Sequence, residues 1–121
     1  MSSVRAIPVS HTEALNLVRT WKAKGALIRI EFRFRILIAT FRARVADVSD
    51  AQLTFVSDDK LAELVLPVPL VATFQYLDLR ESLARDLGRM LVLLYPFVPD
   101  PNESDQVVFA EIVEKPPHVE T

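Results

Sequence analysis

The run LIRIEFRFRILIATFRARV, Leu27 to Val45, decides the fold. Its apolar residues recur every second position: Ile28, Ile30, Phe32 and Phe34, with Arg29, Glu31, Arg33 and Arg35 between them. Alternation of this kind belongs to a strand with one face buried. After Ala39 and Thr40 the phase changes, so that Phe41, Ala43 and Val45 are apolar and Arg42 and Arg44 face outward. A bulge or bend near Ala39 accounts for the change. One straight strand over the whole run exceeds the usual length, so a reversal is expected around Phe32 to Arg35, although no Gly or Asn marks it.

Upstream the period is 3.6. Ser10 and Glu13 have the spacing of a capping box, Ala14, Leu17, Val18 and Trp21 recur at helical spacing, and Gly25 stands where a helix ends. A helix is expected over 11–23. Downstream, Asp47, Ser49 and Asp50 form a polar turn before a strand at 52–56, and Ser57 to Lys60 form another turn. Pro67 and Pro69 cannot donate to a ladder, which makes 64–71 an edge, a bulge or a break. Strands are expected at 73–79, 90–97 and 106–113, with a short helical turn over 80–88. The competing reading is a helix from Leu79 to Leu94, because Leu83, Leu87, Met90 and Leu94 are helically spaced. Residues 1–115 form one domain on this reading, and 116–121, opening on Pro116 and Pro117, form a frayed tail. The fold class is mainly β: a small, strongly bent antiparallel barrel with an N-terminal α-helix.

Composition narrows the chemistry. The chain has 121 residues, half of them apolar, and no Cys. Disulfides, thiolate nucleophiles and Cys-ligated metals are therefore excluded. Two His, His11 and His118, stand apart, with nothing nearby that completes a metal set or a catalytic triad. Asp58 and Asp59 fall in a turn and are read as turn formers. With two Gly in the chain, no phosphate-cradling loop exists. The reading is non-enzymatic, without a cofactor. No apolar run is long enough to cross a bilayer and no leader stands at the N-terminus, so a cytoplasmic protein without a membrane role is expected. Mean hydropathy is above zero, and surplus apolar surface on a small domain points to a homo-oligomer.

Charge is split along the chain. Residues 1–44 carry nine Lys and Arg against two acids, whereas residues 45–121 carry five against fourteen. Arg29, Arg33 and Arg35 share one side of the first strand region, and Arg42 and Arg44 share one side of the next. If these strands pair, the five make one basic sheet surface suited to phosphate. The same pattern also fits a solvated sheet face whose charges meet acids across strands or subunits.

The stretch FRARVADVSDAQLTF, Phe41 to Phe55, is similar to the second strand, turn and third strand of the Sm-like small barrels, and the order of helix and curved strands over 10–77 resembles that family in outline. The resemblance implies an SH3/Sm-like barrel, ring-forming assembly and RNA binding. Ala43 stands where the family often has Gly, the Asp-x-x-x-Asn base-binding signature is absent around Ser49 to Leu53, and no Ile-Arg-Gly follows. It implies the fold rather than the family's base pocket. Asp47, Ser49 and Gln52 also resemble the Asp-x-Ser-x-x-Gly half of a PilZ domain, with Gln for Gly, and Arg29 and Arg33 have the spacing with which that family grips cyclic di-GMP. Three readings follow: a nucleic-acid module using the arginine face, a protein–protein assembly module, and a PilZ-like regulator.

Overall fold

A computed structural model describes residues 5–34, 37–79, 87–96 and 104–112. The elements run β1 (Ile7–Val9), α1 (His11–Lys24), β2 (Leu27–Phe34), β3 (Leu37–Val48), β4 (Gln52–Ser57), β5 (Glu63–Pro67), β6 (Thr73–Asp78), β7 (Leu87–Pro96) and β8 (Ser104–Ile112). The eight strands form one antiparallel sheet in the order β1-β6-β7-β8-β2-β3-β4-β5.

Local chemistry sets the ends of α1. The Ser10 hydroxyl accepts from the Glu13 N–H at 3.0 Å, and the Glu13 carboxylate accepts from the Ser10 N–H at 3.1 Å. At the other end Gly25 adopts φ 64°, and the N–H groups of Gly25 and Ala26 donate to the carbonyls of Lys22 and Trp21, a Schellman closure. The helix buries Ala14, Leu15, Val18 and Trp21. Leu15 takes the fully buried place that the spacing assigned to Leu17, which stays at the margin.

The deciding run is a hairpin. The register pairs Arg29 with Arg42, Ile30 with Phe41 and Phe32 with Ala39. The phase change near Ala39 therefore comes from chain reversal, not from the bulge or bend expected there. The strand resumes at Leu37 with Leu37, Ala39, Phe41 and Ala43 facing the same side as Ile28 to Phe34, which leaves Ile38 on the opposite side and 74% exposed. The real register shift in β3 lies between Val45 and Asp47. β7 is a strand, so the alternative helix from Leu79 to Leu94 does not form across it. Leu87 and Gly88, placed in a helical turn by the sequence, belong to β7, and 80–86 lie outside the described residues, as does the 116–121 tail. β1 was not foreseen.

The sheet is strongly curled. Phe55 on β4 stacks on Phe109 on β8 at 5.3 Å although two strands separate them in the sheet, and the Tyr95 hydroxyl on β7 donates to the Pro67 carbonyl on β5 at 2.6 Å. Residues 68–72 alone connect β5, an edge, to β6, one strand in from the other edge, which limits their separation to under about 20 Å. The curl does not close into a ladder: β1 and β5 remain edges among the described residues. The main core lies inside the curl and gathers Ala14, Leu15, Val18 and Trp21 of α1 with Ile28, Ile30, Phe55, Phe74, Leu91 and Phe109. A second cluster, Leu79, Leu87 and Ala110 with Met90 and Ile112, is separate from it.

Candidate nucleic-acid interface

Side chains alternate across a strand, so the hairpin register fixes where each arginine goes. Ile28, Ile30 and Ala43 are fully buried in the core, which leaves Arg29, Glu31, Arg33, Arg42 and Arg44 on the outer face. Arg29 and Arg42 stand directly opposite each other, Arg44 lies opposite Leu27, and Arg33 lies opposite Ile38. Arg35 lies outside the described residues.

The four placed arginines are not equivalent. Arg33 forms an ion pair with Glu31, its neighbour on the same face of β2. Arg44 reaches Asp58 at 3.6 Å and donates to the Gly25 carbonyl at 3.3 Å. Arg29 and Arg42 have no carboxylate within 4.0 Å among the described residues, and the half-buried Arg29 keeps its Nε shielded from solvent with no hydrogen-bond partner. Like charges placed directly opposite destabilise a sheet. On the other side of Arg29, β8 presents Ala110, a residue too small to engage it.

Beside Arg42 a shallow cleft of about 440 Å³ is lined by Phe41, Ser57, Asp58 and Asp59. The Asp59 carboxylate accepts from the Ser57 hydroxyl at 2.5 Å and the Leu61 N–H at 3.0 Å, and these bonds hold it below the ordinary carboxylate range. Acid thus bounds the basic patch at the β4–β5 turn, and the turn role read for Asp59 matches these bonds.

The remaining singled-out residues have local partners. Asp47 pairs with Lys22 at 4.0 Å, and the Ser49 hydroxyl accepts from the Ala51 and Gln52 N–H groups within the turn. His11 is half-buried: its Nε2 hydrogen-bonds the Ala72 carbonyl at 2.7 Å and its ring meets Phe74 edge-on. It ties the start of α1 to the β5–β6 connection. No three His, Asp or Glu among the described residues are placed to hold a metal ion.

One charged cluster was not read from the sequence. Glu111 on β8 accepts from the Lys24 ammonium at 2.6 Å and lies 3.9 Å from the Arg89 guanidinium. Arg89 also lines a groove of about 320 Å³ between α1 and strands β6 and β7, with Leu17, Thr20 and Tyr76. The three charges lie up to 87 positions apart, and Arg89 sits where the β7–β8 register shifts. Neither fact leaves a trace in local spacing.

Comparison with family models, with curated proteins and with solved structures finds no match to this chain. No helix among the described residues is long and apolar enough to cross a membrane.

Proposed function

We propose that the chain is a cytoplasmic, non-enzymatic binding module that holds the phosphate backbone of single-stranded RNA on its outer sheet face through Arg29, Arg42 and Arg44. The observation that carries this reading is the cross-strand pair of Arg29 and Arg42, neither of which has a carboxylate within 4.0 Å among the described residues. Two opposed guanidiniums repel, and a phosphate between them converts that cost into bidentate, charge-assisted hydrogen bonds. Arg44 extends the patch toward the end of α1. Arg33 contributes least, since Glu31 already neutralises it. The curl that brings Phe55 onto Phe109 supports a barrel-like, Sm-like reading of the sheet.

The test is fluorescence anisotropy of labelled single-stranded RNA at two salt concentrations. Three phosphate contacts on a single strand give a slope of about −2 in log affinity against log salt, so a fourfold rise in salt weakens binding roughly twentyfold. The Arg29→Ala/Arg42→Ala double variant should lose most of the binding and flatten the slope, whereas Arg33→Ala should change little. Absence of saturable binding at low salt would remove this reading in favour of an assembly module, and heat on titration with cyclic di-GMP would favour the PilZ-like one.

A further inference from the structure

Seven large apolar side chains are conspicuously exposed among the described residues, and four of them lie along one edge: Leu61 at 86%, Val65 at 46%, Leu70 at 93% and Val71 at 69%. They belong to β5 and its two flanking turns. β5 is the last strand of the sheet, with no strand beyond it among the described residues.

The hydrogen bonds show which backbone groups this edge offers. The Ser57 N–H donates to the Ala62 carbonyl and the Val68 N–H donates to the Ala51 carbonyl. Antiparallel ladders alternate, so Leu64 and Leu66 turn their backbone groups to β4, while Glu63, Val65 and Pro67 turn theirs outward, the Pro67 carbonyl accepting from the Tyr95 hydroxyl. Val65 thus presents both a donor and an acceptor that no described strand pairs with, beside an apolar side chain. Such an edge is a template for another strand. The opposite edge is different: β1 is three residues long and carries Pro8, which has no N–H to give.

We propose that β5 pairs antiparallel with β5 of a second copy, about a two-fold axis through Val65. In that register each Val65 exchanges two backbone hydrogen bonds with its counterpart. Each Glu63 faces Pro67 of the second copy, so no like charges oppose. Leu61 of one copy comes beside Leu70 and Val71 of the other, and symmetry repeats the contact. The surface is complementary to itself, which selects a second copy of this chain over an unrelated strand. Because Pro8 blunts the other edge, assembly closes at two copies rather than continuing as a fibre. This contact is independent of the arginine face.

Sedimentation equilibrium of the full chain at high micromolar concentration tests it, with an expected mass of twice 13.7 kDa. Val65→Pro removes an outward N–H and leaves the β4 ladder intact, so it should yield a folded single chain. Should that variant fail to fold, Leu70→Lys/Val71→Lys carries the test, because both side chains lie in an exposed turn and the change should likewise halve the mass. A wild-type mass of one chain, or dimers that survive in the folded variants, would overturn the proposal. RNA anisotropy read on the same samples separates loss of the dimer from loss of the arginine site.

Discussion

Glu111 is 7% exposed on β8, yet it stays charged. Burial pushes its pKa up, but the hydrogen bonds from Lys24 and from the Arg89 N–H, with the charges of both cations, outweigh that and hold it below the ordinary carboxylate value. A depressed folded-state pKa contributes stability that is complete above the unfolded value of about 4.3 and disappears as pH falls through the folded value. Thermal unfolding followed across acid pH should therefore show Tm dropping below that point. Glu111→Gln should lower stability at neutral pH by about 1–2 kcal/mol, since Lys24 is half in solvent, and should make the acid decline shallower. At this scale the sequence was partly informative about the arginine face. Glu31 stands two residues before Arg33 on one strand face, so their pairing could be read in advance, whereas Arg29 facing Arg42 depended on a hairpin register.

Among the elements, α1 is the most local and was the most legible. Ser10, Glu13 and Gly25 specify its ends through bonds to their own near neighbours, and tertiary packing need not intervene. Ser10→Ala should cost about 1 kcal/mol in chemical denaturation by orphaning the Glu13 N–H. Gly25→Ala should cost about 1–2 kcal/mol; a Cβ there meets nothing within 4 Å, so the penalty is the left-handed backbone alone. The β2–β3 hairpin was legible from alternation without a turn signal, but its phase change was assigned to a bulge because reversal and bulge both shift the apolar set by one position. β1 was missed since three residues cannot display a period, and its pairing with β6 spans more than sixty positions. Strand and helix competed over 79–94 because leucine spacing fits both. Pairing of Leu91 with Phe109 and Leu93 with Val107 resolves the matter through partners distant in the chain.

For the molecule as a whole, sheet order and curl were not legible: both depend on which distant strands meet. The bond from Tyr95 to Pro67 reports on the curl, because it links strands five places apart in the sheet. Burial raises the Tyr95 pKa to about 12. A raised value contributes stability that is complete below the unfolded pKa of about 10 and is lost as pH rises through about 12. Alkaline spectrophotometric titration should show one tyrosine ionising near that upper value and should lose this step in Tyr95→Phe. The variant should be less stable by about 1 kcal/mol.

The place of β8 in the sheet governs how the chain can reach this state. β2 to β5 follow one another as neighbours, and β6 and β7 pair, but among the described strands β8 alone joins the two groups, lying between β7 and β2. Ile28 must find Glu111, more than eighty residues later. Until residues 104–112 arrive, a growing chain holds two half-sheets with no ladder between them and two open strands at the seam. Pairings of such separation fold on the millisecond-to-second scale rather than in microseconds. The last described strand to be synthesised is thus the keystone, and a chain that stops before it is two open-edged half-sheets rather than a smaller version of the folded protein.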